Sequence, residues 1–303
     1  MTNTKKILHS FTKEFKRDNC GFSHSPPDDL VKSQWQKRTS SIFYVIYRWI
    51  LALFFTGATI TAIVNSKTWH FIIYLTNWGI LLCFFTCMLG AILVTIWHFH
   101  PEYSDRVAES KEMPSVFKVY WGMHNTTLSV SIVITIVYWS ILYNGKEVSA
   151  TNLLTHAFNS VFMFIDLWIV AYPTRLLHTC FPIALGITYT IFSAIYWACG
   201  GTDPVGNHYI YNVLDWEKPG NAIVTVVGVM ILCCFIYFCI FVIYKIRVFI
   251  YKRFFRDVSF VPTTQSTIGP SSLVIHPSGI SMVLGNYGHE NPAFTQSTDK
   301  IAS

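Results

Sequence analysis

Between Asn152 and Ala171 the sequence reads NLLTHAFNSVFMFIDLWIVA, apolar enough to cross a membrane yet carrying His156, Asn159 and Asp166. His156, Asn159, Met163 and Asp166 follow one another at intervals of 3, 4 and 3 residues, so they share one helix face, with Ser160 at its border. An aspartate at a span centre costs roughly 2.5–3.5 kcal/mol on insertion scales, so this stripe must face the bundle or water and not lipid. Depth then selects partners. At ~1.5 Å per residue, His156 lies about 6 Å below the outer boundary and Thr76, in YLTNWG, about 7–8 Å. A hydroxyl beside an imidazole can act as nucleophile and general base: the ring takes the hydroxyl proton as the oxygen attacks an ester carbonyl. Asn159 and Ser160 would then position the substrate. Against this stands a plainer reading, in which Thr76 bonds its own helix and His156 satisfies a neighbouring carbonyl. Spacing alone favours the structural seam over catalysis, with ligand or ion binding as a third role. At the inner end, His124 and Asn125 in YWGMHNTT reach the depth of Asp166, which suggests a buried network tying two spans together.

The elements that must position these groups are membrane spans. Of 303 residues, 52% are hydrophobic and only 13% charged, about half the charge of a soluble domain. Six apolar runs account for the shift: Ile42–Val64, Phe71–Trp97, Val119–Leu142, Asn152–Tyr172, Thr179–Trp197 and Ala222–Tyr244. Each is long enough to cross the ~30 Å hydrocarbon layer as a helix. The expected fold is therefore all-α, a six-span transmembrane helical bundle. Its parts would be a basic N-terminal segment at 1–41, a membrane domain at 42–245 and a largely disordered tail at 246–303. No apolar core stands near the start, so the first span is expected to serve as an uncleaved anchor. With the N-terminus inside, 19 of the 22 Lys and Arg fall on the inner side and only Lys67, Lys146 and Lys218 outside. Both termini are thus expected in the cytosol. Arg247, Lys252, Arg253 and Arg256 would sit against anionic headgroups, and the net charge of +6 reads as orientation and not as nucleic-acid binding.

The outer loop CGGTDPVGNHYIYNVLDWEKPGN, Cys199 to Asn221, is rich in turn residues and aromatics. Long ordered loops often carry function, which makes Asp203, His208 and Asp215 candidate residues. The eight cysteines follow neither a metal nor a disulfide pattern, and no cofactor motif is present. A transporter would show broken helices or internal repeats, and neither is evident. NPAF at Asn291–Phe294 matches a short form that endocytic adaptors read. The expected partners are membrane lipids, with no nucleic acid.

Four stretches resemble the rolling stone family of animal membrane proteins: GFSHSPPDDLVKSQWQ, YRWILALFF, LLTHAFNSVFMFIDL and IYWACGGTDPVGNHYIYNVLDW. They lie in order across residues 21–245. The resemblance implies a plasma-membrane protein associated with myoblast fusion during muscle development, working with fusion-related membrane proteins. The family is also distantly similar to androgen-induced multi-span hydrolases of fatty-acid esters, which are described as using a Thr nucleophile with a His. Their Leu-Thr falls on Leu75-Thr76 and the first His of their Asn-His-x-x-His-Thr pattern on His156. This chain departs at Thr155 and Asn159, which stand where that pattern has Asn and its second His.

Overall fold

The computed structural model describes residues 14–255 apart from 67, 68, 111, 144, 146 and 147. The tail, with Arg256 and Asn291–Phe294, lies outside the described residues. Among the described residues the fold is all-helical, with one isolated antiparallel bridge, Ser33 to Val170, and no strand. The helices are α1 (Ile42–Ser66), α2 (Leu75–Phe99), α3 (Pro101–Ser110), α4 (Ser115–Val137), α5 (Ala150–His156), α6 (Phe158–Ile169), α7 (Cys180–Ala198) and α8 (Pro219–Phe254). Among the described residues, five segments are long and apolar enough to cross a membrane: Ile42–Ser66, Leu75–Phe99, Ser115–Leu142, Leu176–Ala198 and Pro219–Phe254.

Helix α4 is the centre, packing against α2, α6, α7 and α8. That position explains why its buried residues include Thr126, Thr127, Ser129 and Ser131 beside Trp121 and Leu128. Lipid gives helices no hydrophobic reason to associate, so small and hydroxylated side chains bring the backbones close. The Thr86 and Thr127 hydroxyls meet at 2.8 Å between α2 and α4. Gly90 serves the same contact, because a Cβ there would stand 2.6 Å from the Tyr120 hydroxyl.

The fourth apolar run is not one helix, a difference from the sequence reading, which found no broken span. It is divided at Ala157, whose φ of −129° and ψ of −56° leave the helical region. Side chains hold the break. Where an unbroken helix would join Ser160 N–H to the His156 carbonyl, Ser160 N–H donates instead to Asn159 Oδ1 at 2.7 Å. The His156 carbonyl accepts from the Trp139 indole at 3.1 Å. The facing end of α4 also loosens, closing as a π-turn over Tyr138–Leu142. Backbone irregularity at membrane depth survives only when protein groups satisfy it, and here Trp139 and Asn159 do so.

The C-terminal end of α6 is finished by distant parts of the chain. Its last carbonyls have no helical partner. Ile169 O accepts from Gln34 N at 2.8 Å and Ser33 Oγ at 2.9 Å. Trp168 O accepts from the Trp35 indole at 2.6 Å, and Leu167 O from the Arg247 guanidinium. The segment before α1 is thus a folded cap, with Leu30 and Val31 fully buried beneath it.

Candidate functional site

Two groups of polar residues occupy opposite ends of the bundle, named inner and outer after the orientation expected from the charge distribution. At the inner end Asp166 is fully buried. Its Oδ2 accepts from Arg48 Nη1 at 3.0 Å, and its Oδ1 from the Tyr47 hydroxyl at 2.9 Å. His124 Nε2 lies 2.8 Å from the same Oδ2. A carboxylate only accepts, so His124 Nε2 carries a hydrogen and donates, while its Nδ1 has no partner. Arg48 in turn donates from Nε and Nη2 to the Tyr44 hydroxyl, at 3.0 and 2.6 Å. One guanidinium balances one carboxylate, and aromatic rings wall the pair in. This is a structural device: two ions taken out of water persist only when their geometry is closed on all sides.

Asn125 points away from Asp166. Its Nδ2 donates to His178 Nδ1 at 3.2 Å, and His178 Nε2 then donates to the Gly21 carbonyl at 3.2 Å. That relay carries α4 to the segment before α1. Phe22 enters a ring of Trp121, His178 and Phe181, with centroids 5.6, 4.8 and 5.3 Å away. The Arg175 guanidinium donates to the Gly21 and Ser23 carbonyls. Further along, Asp29 binds His24 at 2.9 Å and Lys32 at 2.8 Å. Burial alone would raise the Asp29 pKa, but the His24 hydrogen bond and the Lys32 charge outweigh it and hold it below the ordinary value. Burial likewise works against the Lys32 ammonium, while Asp29 and Asp28 carry its pKa above the ordinary value.

Arg247 departs from the sequence expectation. It does not reach headgroups: it is fully buried and donates to the Leu167 and Tyr172 carbonyls, the latter at 2.9 Å. A cation at a helix C-terminus complements the carbonyl dipoles, and burial follows because α8 runs its 36 residues past the end of α6. Lys252 and Arg253, two turns on, are exposed.

At the outer end, Thr76 lines an apolar cavity of about 110 Å3 with Leu75, Val133, Tyr138, Tyr189 and Tyr211. Thr76 and Tyr211 stand side by side in its wall. His156 is not among the cavity residues; its ring lies parallel to that of Tyr138, centroids 3.4 Å apart. Its Nδ1 is buried without a partner, as is Asn159 Nδ2. Asn159 Oδ1 is used by Ser160 N–H and by the Thr135 hydroxyl at 3.3 Å. Ser160 donates to the Ala157 carbonyl at 2.9 Å and opens on a different groove, against Cys239 and Ile243 of α8. No hydrogen bond is described between Thr76 and His156.

The outer loop is built by its aspartates. Asp203 Oδ1 accepts from Val205 N and Asn207 N at 2.9 and 2.8 Å, and Oδ2 from Asn207 Nδ2 at 2.8 Å. Gly206, at φ +96°, completes the turn in a conformation open to glycine. Burial raises the Asp203 pKa, but the hydrogen bonds from Asn207, Val205 and Gly206 outweigh it and lower the value. Asp215 is buried and accepts from Glu217 N at 3.0 Å, while His208 is exposed. Among the described residues no group of three His, Cys, Asp or Glu could hold a metal.

Sequence reasoning missed Arg48 and Tyr47 as partners of Asp166. A signal was present: Arg48 lies seven residues into its span and Asp166 four from the end of α6, opposite charges at comparable depth from the inner face. Charge counting used Arg48 only as one of the 19 inner-side cations. The family profile described as Protein rolling stone matches residues 1–268. The Drosophila melanogaster protein named Protein rolling stone is 40% identical over 248 residues, 78% of this chain and 90% of that relative. No solved structure matches. With a profile covering most of the chain and a relative this similar over most of both lengths, the chain belongs to the rolling stone family.

Proposed function

We propose that the protein is a six-span plasma-membrane protein with both termini in the cytosol, acting in myoblast fusion during muscle development through partners that meet its outer loop. Six spans follow if α5 and α6 together cross as one broken segment, since 20 residues rise about 30 Å. The excess of Lys and Arg at one end supports the orientation. The observation that carries the role is the Asp203 turn: a tightly bonded loop holding Val205 85% exposed. A rigid loop positioned at the end of a helical scaffold is a common place for binding residues, and Val205 at its tip offers an apolar contact. Depleting the protein from differentiating myoblasts should reduce multinucleate myotubes several-fold, and restoring it should recover them. Normal fusion in its absence would refute the role.

A second reading, an intramembrane threonine/histidine hydrolase of lipid esters, rests on one observation: Thr76 opens onto an apolar cavity of acyl-chain character. It requires Thr76 to turn from its neighbour Tyr211 and the His156 ring to leave Tyr138 before the two can pair. Turnover of branched fatty-acid esters, abolished alike in Thr76→Ala and His156→Ala at matched stability, would establish it. Absence of turnover in the wild type would end it.

A further inference from the structure

Two exposed cysteines meet where the N-terminal cap joins the bundle. Cys20 closes the 3-10 turn Arg17–Cys20, and Cys180 opens α7. Both are free and exposed. Their neighbours are locked together on either side. Gly21 O, next to Cys20, accepts from Arg175 Nη1 at 2.8 Å and from His178 Nε2 at 3.2 Å. The Phe22 ring stacks on Phe181, next to Cys180, with centroids 5.3 Å apart. Between these two tethers Cys20 and Cys180 are side-chain neighbours. The other cysteines are arranged differently: Cys83, Cys87 and Cys233 are buried among the helices, where thiols serve as small apolar fillers.

We propose that Cys20 and Cys180 form a reversible modification site, an internal disulfide that staples the segment before α1 to the start of α7. The two cysteines stand 160 positions apart in sequence, yet the hydrogen bonds and the ring contact of their neighbours bring the two segments together. The oxidant is a peroxide. The Cys20 thiolate attacks one peroxide oxygen, the O–O bond breaks, and the departing hydroxide leaves as water with the thiol's proton. Cys20 then carries a sulfenic acid. The Cys180 sulfur displaces that hydroxyl, which departs as a second water, and the S–S bond forms. Two electrons pass from the thiols to the peroxide, and a dithiol restores the starting state. Pairing is a property of the fold on either face. Reversibility rests on the cytosolic orientation proposed above, because disulfides there are transient and redox-sensing.

The test uses full-length protein in native membranes, treated with hydrogen peroxide, then blocked with a maleimide, digested and read by mass spectrometry. The expected result is a cross-linked Cys20–Cys180 peptide that dithiothreitol removes, with Cys83 and Cys87 unchanged. In Cys20→Ser, Cys180 should stay open to the maleimide after peroxide, and in Cys180→Ser the same should hold for Cys20. Oxidised wild type should also lose its N-terminal segment to added protease several-fold more slowly. Wild-type thiols that both remain reactive, or Cys180 protected equally in Cys20→Ser, would overturn the site. A bond already complete in freshly isolated, thiol-blocked membranes would overturn its reversibility and, separately, the cytosolic orientation.

Discussion

The inner and outer halves of the bundle are built differently. Inside, Asp166 is closed by Arg48, His124 and Tyr47, and the α6 carbonyls are taken by Arg247, the Trp35 indole, the Ser33 hydroxyl and the Gln34 backbone. Outside, a span is broken at Ala157 and an apolar cavity stands at Thr76. Buried atoms without partners occur in both halves, His124 Nδ1, Arg247 Nε and the Tyr120 and Tyr172 hydroxyls inside, His156 Nδ1 and Asn159 Nδ2 outside, so the difference lies in the ion pair and the capped helix end. The contrast teaches where the molecule is held: the inner half secures the fold, and the outer half with its loop is where the proposed contacts would form.

Breaking the inner half should give the largest effect. Asp166→Ala leaves Arg48 buried and unpaired, a loss of about 3–5 kcal/mol, seen as a collapse of folded yield and melting temperature in detergent. The double change Arg48→Met with Asp166→Leu should recover most of that stability, since a well-packed apolar pair avoids the desolvation cost. Equal damage from the double change would contradict a purely structural role. Next in size is Arg247→Met, which strips the Leu167 and Tyr172 carbonyls. A loss of about 1–3 kcal/mol is expected, and thermal unfolding checks it.

A smaller effect concerns acid. Because the folded pKa of Asp29 is lowered, its contribution is present above the ordinary carboxylate value and fades as pH falls through the folded one. Lys32 is raised, so its contribution holds at neutral pH and is lost only as pH climbs past the folded value. Limited proteolysis should find the cap around Gly21–Gln36 protected at neutral pH and cut faster in acid below about pH 4. An Asp29→Asn variant should be cut at neutral pH already. The smallest stability change, within about 0.5 kcal/mol, belongs to Val205→Asp on the exposed turn, where any loss of fusion would come from contact and not from folding.

Much of the scaffold was legible from hydropathy. The long apolar runs mark the five membrane-length helices, and the cost of Asp166 in lipid turns its face inward. The break at Ala157 was not legible, because its cause is tertiary: the Trp139 indole comes from a segment 17 residues earlier to take the His156 carbonyl. Arg48 and Arg247 were hidden for a related reason. A charge near a span end reads as an interface anchor until a neighbour offers a carboxylate or a helix terminus at the same depth. The capping role of GFSHSPPDDLVKSQWQ was not legible, because the Ser33 hydroxyl, the Gln34 backbone and the Trp35 indole reach carbonyls of α6, far away in the sequence. Thr76 and His156 share a depth in sequence, yet their described neighbours are Tyr211 and Tyr138, and depth says nothing of azimuth.

The most direct measurement is myoblast fusion per molecule of protein at the cell surface, taken for Asp166→Asn and Val205→Asp beside the wild type. Separate roles for the two halves predict that Asp166→Asn loses fusion only in proportion to lost surface protein. Val205→Asp should reach the surface normally and still lose fusion several-fold. Wild-type fusion by Val205→Asp at full surface amount would contradict the assignment of function to the outer loop.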